Sequence, residues 1–403
     1  MQPLRLSPID LFFSGPDSRP SNMAFWFEGR LDPRTLAASL AELAEIYVPI
    51  KGKLVELDPT VLALGAFERA PTLLTVDLGA GSLPLDDDLS LLQHLVPASN
   101  APGGALIGLK LVLTDAHSLL LISFSHVLGD AAAFFDLLMD WVALAAHRRV
   151  EAPSFDREVF RHIFEAMKFD PRKLDLTSLR GLAKRNHGFI DEGPATAVNP
   201  ASFVGIERTV YPRDALSSLR QEAAMDADHP ATLFSALAGA AWRQKALDNH
   251  AADRSGETVL VCPVDLRRVL LELPPKFFGN AIKGVACTQR TEAVLAGSAQ
   301  TRAAWIRESI GSVTRDNLNL DFHLLDFLRK TGGYRKVQRL RASRSDSILV
   351  SDMSFAPLRF VRFEGKRCFK VSLLSFYANT TAILEHPLGY ELVRAQVKPP
   401  GGS

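Results

Sequence analysis

The sequence has little cysteine and no surplus of charge of either sign. Its 403 residues include three cysteines, an odd number without Cys-x-x-Cys spacing: Cys262, Cys287 and Cys368. This usage excludes a disulfide framework and a zinc-ribbon site, and we expect buried thiols. Lysine and arginine number 46 and aspartate and glutamate 45, which leaves a formal net charge of +1. The charge balance therefore indicates no nucleic-acid partner and no polybasic membrane patch.

Long apolar runs and the common nucleotide and hydrolase motifs are also absent. No apolar run of about 18 residues occurs, and the segment MQPLRLSPIDLFFSGPDS lacks a basic region followed by a long apolar one. We therefore expect a cytoplasmic protein with no membrane partner. Gly-x-Ser-x-Gly, Gly-x4-Gly-Lys and Gly-x-Gly-x-x-Gly are missing, which excludes α/β-hydrolase, P-loop and dinucleotide-binding sites. The histidines lack a second ligand-type residue at metal spacing, so we predict no metal.

Composition and length indicate a globular protein of two domains. Hydrophobic residues make up 47% and charged residues 23%, so the chain is able to bury a sizeable core. A single core rarely grows to the size that 403 residues need. The segment 185–205 is rich in Gly, Pro, Asn and Ala and lacks periodicity, which predicts a linker between domains at 1–184 and 206–403. We expect the protein to be a monomer.

Helical and strand patterns occur in both halves. Apolar residues at helical spacing predict four helices: Leu36–Ala44, Ala131–Ala146, Arg213–Ala227 and Thr232–Leu247. Apolar runs of strand length predict a hairpin, Ala105–Leu113 with Ser118–Phe124, and five later strands: Thr258–Val264, Ile282–Cys287, Ser347–Val350, Arg359–Phe363 and Phe369–Ser375. Because sheet and helix are mixed in each half, the predicted fold class is α+β, with two similar mixed-sheet domains.

One stretch after the second hairpin strand carries a candidate catalytic residue. After Phe124 the chain continues Ser-His-Val-Leu-Gly-Asp, so His126 stands between a strand and the helix that Asp130 caps. An imidazole titrates near neutral pH, and at such a bend it is able to take a proton from a hydroxyl and return it to a leaving group. The alternative is a buried histidine bonded to backbone and an aspartate that only caps the helix. The pattern His-x-x-x-Asp alone does not decide between them.

Four further segments follow a fixed order along the chain. The chain opens with LSPIDLFFS and a helix that closes on Gly52-Lys53-Leu54, and its second half contains TLFSALAGAAWR, CPVDLRRVL and KFFGNAIKGV. Together with the His-x-x-x-Asp stretch, these segments resemble the motifs of the BAHD family of acyl-CoA-dependent acyltransferases. The agreement in order and spacing over the whole chain favours membership of that family.

The resemblance implies a fold, a reaction and roles for three residues. The family has two similar, chloramphenicol acetyltransferase-like domains with the active site in a channel between them. Its members use acyl-CoA as co-substrate without a permanently bound cofactor, and we expect a small, largely apolar secondary metabolite as acceptor, through a hydroxyl or an amine. By carry-over His126 is the general base, and Asp130 pairs with Arg267 in a structural role. Arg268 is expected to face solvent by strand alternation.

Other candidate residues have structural alternatives. Thr232 and Ser235 begin a helix and are candidates for binding the phosphates or the pantetheine arm of coenzyme A, although capping is the simpler role for Thr232. Asn280 lines the channel or holds a turn. The basic run at 335–344 is a candidate for the 3′-phosphate of coenzyme A, or it is a solvated helix face.

The sequence departs from the family at the carboxy-terminal motif Asp-Phe-Gly-Trp-Gly. A gapless count from Pro357 puts this motif on residues 362–366, Arg-Phe-Glu-Gly-Lys, where only Phe363 matches. The same count puts Met353, which offers only packing, where many members have tryptophan, and leaves Ser351 as a hydroxyl candidate for oxyanion stabilisation. Because the motif is remote from the chemical step in the family, its loss favours a divergent, microbial member over an inactive one.

Two other functions stay open. A condensation-type enzyme takes its acyl group from a carrier protein, and Ser125 replaces the first histidine of the His-His-x-x-x-Asp form found in such domains. The second alternative is a binding protein that kept the fold and lost catalysis, which the altered carboxy-terminal motif permits and His126 opposes. The donor face distinguishes the two enzymes, since free coenzyme A needs cations for its phosphates and a carrier protein needs a docking patch.

Overall fold

A computed structural model gives the fold and describes residues 2–14, 18, 20–81, 83, 91, 94–165, 205–224, 231–252, 256–335, 346–355, 360–374 and 379–396. Nearly all of the predicted linker, residues 185–204, lies outside the described residues, as does the basic run from residue 336 onward. The same holds for the ends of three predicted elements, at residues 225–227, 359 and 375.

The described residues form strands and helices in both halves of the chain. The strands are β1 (Leu4–Arg5), β2 (Ser21–Glu28), β3 (Lys53–Asp58), β4 (Val61–Gly65), β5 (Leu73–Asp77), β6 (Ile107–Leu113), β7 (His117–Phe124), β8 (Gly205–Pro212), β9 (Glu257–Asp265), β10 (Ile282–Arg290), β11 (Ser347–Asp352), β12 (Arg362–Phe363), β13 (Lys366–Leu373), β14 (Thr380–His386) and β15 (Gly389–Gln396). The helices are α1 (Pro8–Leu11), α2 (Pro33–Ile46), α3 (Ala131–Ala145), α4 (Val159–Glu165), α5 (Arg213–Ala223), α6 (Leu233–Ala251), α7 (Thr291–Ala296), α8 (Ala299–Gly311) and α9 (Arg315–Gly332). Two 3-10 helices span Val48–Lys51 and Leu266–Arg268.

The first sheet has six strands in the order β12-β13-β2-β7-β6-β5. The predicted hairpin is confirmed, because β6 and β7 pair antiparallel with Ile107 opposite Phe124. Strand β7 is apolar on both faces: Leu120 packs into the large core with helix α3, whereas Leu121 packs with Trp26 on the other side of the sheet. Burial on both faces makes β7 a rigid support for the residues that follow it.

Two strands of the first sheet come from the C-terminal half of the chain. Strand β13 pairs antiparallel with β2, with Val371 opposite Phe25, and β12 pairs with β13. The division into domains at 1–184 and 206–403 stays a prediction, but strand pairing crosses it. Pairing between strands so far apart in sequence leaves no signal in local periodicity, so the sequence did not indicate this exchange.

The second sheet also has six strands, in the order β10-β9-β11-β14-β15-β8. Strand β11 lies parallel to β9 and β14, and the other pairs are antiparallel. Helices α6 and α8 cover it, with Leu237, Trp242 and Ile306 in their shared core. A third, small sheet joins β1, β4 and β3. The two large mixed sheets with their helices confirm the predicted α+β fold class.

The turn between β7 and α3 positions the candidate site. Helix α3 begins at Asp130, whose carboxylate accepts the backbone N–H of Ala133 as an N-cap. A Cβ atom on Gly129 would lie 2.6 Å from the Ala133 Cβ and 3.3 Å from the Gly279 carbonyl oxygen. Glycine at residue 129 therefore lets the segment around Gly279 approach the turn.

The VDLR segment differs from the expected strand. Strand β9 ends at Asp265, and Arg267 and Arg268 lie in a 3-10 helix, because the Asp265 side chain accepts the N–H of Arg267 and starts that turn. Arg268 is exposed as expected, but the 3-10 turn rather than strand alternation places it there.

The cysteines are free and buried, as predicted. Burial raises the pKa of Cys287 to about 11 and that of Cys368 to about 12, and it also raises the pKa of Cys262. All three are therefore thiols at neutral pH. Within the described ranges, no helix is both long and apolar enough to cross a membrane.

Candidate active site

His126 lies in the turn after β7, half-buried and held from two sides. Its backbone N–H donates to the Asn100 side-chain oxygen at 3.0 Å. The Phe13 ring stacks on the imidazole, with ring centroids 4.1 Å apart and planes 10° from parallel. Stacking restrains the ring's plane and leaves its two nitrogens at the edge, where they are able to meet other groups.

Asn100 fastens the turn that carries His126. Its side-chain oxygen accepts from the Ser125 hydroxyl as well as from the His126 backbone, and its amide nitrogen donates to the Ser18 hydroxyl at 3.3 Å. Asn100 and Ser125 are both buried. Ser125, which stands where condensation domains have a first histidine, thus has a structural contact of its own.

Asn280 contacts both the backbone and the ring of His126. Its Nδ2 donates to the His126 carbonyl oxygen at 2.8 Å and to the Asp10 carboxylate at 2.9 Å. Its Oδ1 lies 3.2 Å from the imidazole Nδ1. Asn280 is fully buried, so of the two predicted roles the structure shows at least that of holding the turn.

The contacts of Asn280 determine where the His126 imidazole carries its proton. Because both partners of Nδ2 are acceptors, Nδ2 must be the amide's donor end and Oδ1 must face the ring. An oxygen without hydrogens is only able to accept, so the Nδ1 of His126 donates. In the neutral imidazole Nε2 is then the nitrogen that accepts a proton, as a general base requires.

Asp10 and Arg157 form a second layer behind Asn280. Asp10 is fully buried in α1 and accepts from the backbone N–H and side-chain amide of Asn280. It also accepts from the backbone N–H and hydroxyl of Ser7, in a capping box. Arg157 Nη1 lies 2.6 Å from the Asp10 carboxylate, with both side chains 1% exposed, and Arg157 Nη2 donates to the Leu128 carbonyl at 2.7 Å.

Asp130 binds Arg267 with both of its carboxylate oxygens. The two guanidinium–carboxylate distances are 2.9 and 3.2 Å, and the Asp130 side chain is 1% exposed. Asp130 also accepts the N–H groups of Ala133 and Ala281. One carboxylate thus links the start of α3 to the segment that precedes β10, across the two halves of the chain.

The Arg267 guanidinium forms further hydrogen bonds besides those to Asp130. It donates to Asp265 at 3.1 Å and to the carbonyl oxygens of Phe277 and Gly279 at 3.1 and 3.2 Å. Burial opposes the guanidinium charge, but attraction and hydrogen bonding to Asp130, and then to Asp265, outweigh burial and raise the pKa of Arg267. The Arg267 guanidinium is therefore charged at every physiological pH.

The predicted coenzyme A residues form a helix cap. The Thr232 hydroxyl accepts the backbone N–H of Ser235, and the Ser235 hydroxyl donates to the Thr232 carbonyl, each at 3.0 Å. Ser235 is buried at the start of α6. These bonds explain both residues structurally, and contact with coenzyme A stays a prediction.

The predicted oxyanion-side residues lie at the end of β11. Ser351 pairs with Ala382 of β14 inside the second sheet. Met353 follows the strand and packs into the same core cluster as Val127 and Leu128, the two residues after His126. The positions of Ser351 and Met353 beside the substrate carbonyl, and the role of Ser351 in oxyanion stabilisation, stay predictions.

The altered carboxy-terminal motif forms a tight hairpin between β12 and β13. Glu364 and Gly365 have φ angles of 54° and 77°, which a two-residue hairpin turn of this type requires. Phe363, the one matching residue, is fully buried and packs edge-on against Phe27 and Trp141. Trp141 follows Asp130 by eleven residues on α3, about 16 Å along the helix axis, so the hairpin is far from His126.

A cavity of about 190 Å³ lies on the Arg157 side of this network. Its walls include Leu11 of α1, the N-cap residue Ser7, Arg157, and Phe322 of α9. His126 is not among its lining residues, so the cavity is not the expected place of acyl transfer. The predicted channel between the two domains, with His126 in it, stays a prediction.

Sequence reasoning missed Asp10, Arg157 and Asn100. The first two lie far from His126 in the chain, and nothing in their local pattern indicates the contact. One signal was present: Ser7 and Asp10 have the spacing of a capping box, within the segment that opened the family resemblance. A capping box predicts a helix start, but not that its aspartate has a second use.

A protein-family model described as Transferase family matches residues 118–365, more than half of the chain. Among solved structures, TRI101 of F. graminearum complexed with coenzyme A and deoxynivalenol matches with a TM-score of 0.76 at 13% identity, covering 99% of this chain and 96% of that one. Vinorine synthase matches with 0.73 at 15%, covering 99% and 91%. The first condensation domain of the CDA synthetase matches with 0.60 at 15%, covering 96% and 87%. No curated protein matches the sequence.

Proposed function

Because the chain belongs to the Transferase family of BAHD-type acyltransferases, we propose that it moves an acyl group from acyl-CoA to a hydroxyl of a small, largely apolar secondary metabolite, with His126 as general base. The observation that carries the proposal is the Asn280 contact, which places the imidazole proton on Nδ1. TRI101, whose structures contain coenzyme A and a small toxin, supports the substrate classes.

The proposed reaction needs one proton to move twice. His126 Nε2 takes the proton of the acceptor hydroxyl as its oxygen attacks the thioester carbonyl carbon, which gives a tetrahedral oxyanion. When the intermediate collapses, the carbon–sulfur bond breaks and the imidazolium returns the proton to the coenzyme A sulfur. The products are the ester and the free thiol of coenzyme A, and no covalent enzyme intermediate forms.

The surroundings of His126 suit both protonation states. Nδ1 donates to Asn280 Oδ1 in the neutral ring and goes on donating in the imidazolium, so this hydrogen bond survives each proton transfer. A contact that survives keeps the ring in place without reorganisation of the site. Asp130, directed to Arg267, maintains the geometry and takes no proton in this scheme.

Three further residues complete the proposal. Ser351 donates its hydroxyl to the developing oxyanion, and Thr232 and Ser235 lie where the coenzyme A arm binds, which is consistent with their position at the helix α6 N-terminus. Acyl-CoA is a co-substrate that leaves as coenzyme A, and we propose a monomer acting in the cytoplasm.

Mass spectrometry of purified protein incubated with a panel of acyl-CoAs and small alcohols tests the proposal. We expect an acylated alcohol and free coenzyme A with the parent protein, and neither above background with His126→Ala. Parallel reactions with amines and with acyl groups on a carrier protein decide between oxygen and nitrogen acceptors and between donor types. No product from any acyl-CoA, or transfer only from a carrier protein, would overturn the proposed donor.

A further inference from the structure

We propose that Asp10 and Arg157 are positioning residues of the reaction, whose ion pair holds the Asn280 amide so that the His126 imidazole keeps its proton on Nδ1. The inference rests on the proposed function and extends it, because it identifies the residues that keep the His126 imidazole in the tautomer that a general base needs. Neither residue contacts the imidazole directly; both act through Asn280.

The first argument is the number of bonds that converge on Asp10. Its carboxylate receives two hydrogen bonds from Ser7, two from Asn280 and the Arg157 ion pair, within a fully buried environment. If only the cap of α1 were needed, Ser7 would suffice as partner. The bonds to Asn280 join α1 to the segment before β10 at the amide whose oxygen lies 3.2 Å from the His126 Nδ1.

The second argument is the orientation of the amide. The amide group of an asparagine is able to rotate by half a turn, which exchanges the positions of its oxygen and its nitrogen. After such a rotation Asn280 would present Nδ2 to the imidazole. The Asp10 carboxylate opposes this, because a turned Asn280 would set its oxygen against a carboxylate oxygen. A donor facing Nδ1 would favour the tautomer with the proton on Nε2, which is unable to take a proton from the acceptor.

The third argument concerns charge near the ring. Among the described residues, the ion pairs that border the His126 turn and Asn280 involve Asp10 on α1, Arg157 ahead of α4, Asp130 at the start of α3, and Arg267 with Asp265 after β9. Asp10 pairs with Arg157, and Arg267 pairs with both Asp130 and Asp265, so each of these groups has an oppositely charged partner within 3.1 Å. Breaking the Asp10–Arg157 pair leaves one uncompensated charge beside the Asn280 amide that contacts the ring, enough to move the pKa of His126 by roughly one unit.

The sign of that shift differs between the two partners, and this separates positioning from mere packing. Asp10→Asn leaves the Arg157 cation unpaired, which disfavours the imidazolium, so the pKa of His126 should fall. Arg157→Gln leaves the Asp10 anion unpaired, so the pKa should rise. The double variant should return it toward the parent value, and Arg157→Lys should restore it because the charge is kept.

The test is nitrogen-15 NMR of the full chain labelled at histidine, with His126 assigned from the His126→Ala variant. We expect the parent ring protonated on Nδ1, opposite pKa shifts in the two single variants, and a mixed tautomer in Asp10→Asn. Arg161→Gln, a change at an arginine on the exposed face of α4, is the matched control and should shift nothing. If Asp10→Asn does not fold, the comparison of Arg157→Gln with Arg157→Lys tests the inference instead.

The outcome is separate from that of the proposed function, since tautomer and pKa are read without substrate. Stability loss in the variants with an unchanged His126 pKa and tautomer would overturn the positioning role. If acyl transfer occurs, kcat of Asp10→Asn should fall by about 10- to 100-fold with the KM for acyl-CoA nearly unchanged. Parallel falls in kcat and in the KM for acyl-CoA would also contradict the inference.

Discussion

The turn at residues 125–130 and the hairpin at residues 362–366 stand at motif positions of the same family, yet they are held in different ways. Around His126, buried hydrogen-bond donors meet buried acceptors, from Asn100 through Asn280 to the Asp130 carboxylate. In the hairpin one buried ring, Phe363, fixes the position, and the polar contacts of Glu364 are exposed.

The difference explains why one motif is intact and the other is not. A buried hydrogen bond needs a donor opposite an acceptor, and a changed residue leaves a group unpaired at a cost of about 1–3 kcal/mol. A buried apolar residue is constrained only in its volume and shape, and a residue of the turn is constrained only to adopt a positive φ angle. The hairpin is therefore able to change four of its five residues while Phe363 stays.

The largest effect should follow from removing the base. His126→Ala should lower turnover by roughly 10² to 10⁴ and leave coenzyme A binding nearly unchanged, because the imidazole acts on the proton and not on the coenzyme. Steady-state kinetics with a calorimetric binding measurement checks both parts. His250→Ala, at an exposed histidine of α6, is the control; turnover of His126→Ala within tenfold of the parent would contradict the assignment.

The next effect concerns the Asp130–Arg267 pair, which holds the turn and takes no proton in the proposed reaction. Asp130→Ala should destabilise the protein by roughly 3–5 kcal/mol, because it leaves the Arg267 cation buried with two of its five side-chain hydrogen bonds lost. Urea denaturation of both single variants and the double variant measures this, and the double should be less than additive. Loss of activity with unchanged stability would instead make Asp130 a group of the chemical step.

Replacing the anchor of the hairpin should separate stability from chemistry. Phe363→Ala should cost about 3 kcal/mol of unfolding free energy, since it opens a cavity against Phe27 and Trp141, while turnover per folded molecule should stay within about threefold. Phe363→Leu, which keeps most of the volume, is the matched control. A turnover loss of tenfold or more in the folded protein would show that the hairpin reaches the active site after all.

The smallest effect should come from the hairpin's polar contacts. The Glu364 carboxylate accepts a hydrogen bond from the backbone N–H of Asp32, at the start of α2, and forms an ion pair with Lys366. Both contacts lie near the surface. Glu364→Gln should change the unfolding free energy by less than about 1 kcal/mol, because solvent screens exposed pairs. A thermal melt at low and at 1 M salt tests this, and a large loss that survives high salt would refute it.

How much of the site the sequence predicts depends on how local its signals are. His126, the Asp130 cap and the β6–β7 hairpin follow from residues close together in the chain, and the resemblance to a family added the partner Arg267. Asn280 was identified with two alternatives, and its structural role became visible only with Asp10, 270 residues away. No periodicity or spacing rule connects two polar side chains across such a distance.

The same limit applies to the fold. Helix α3 and strand β7 were predicted nearly to the residue, because burial and a cap mark them in the sequence. The VDLR segment was expected as strand and is a 3-10 turn, since the Asp265 side chain competes with the sheet for the backbone N–H of Arg267. Local competition of this kind depends on geometry that composition does not show.

The pairing of β13 with β2 has a consequence for how the protein is made. Strand β2 ends at residue 28 and β13 begins at residue 366, so at roughly 10 residues per second the ribosome finishes the partner on the order of half a minute later. During that interval one edge of β2, with the sequence MAFWF, is unpaired on a nascent chain. An apolar open edge invites association with other chains. Translation speed and chaperone supply should therefore govern the yield of soluble protein, and a ribosome stalled before residue 366 should leave a product prone to aggregate.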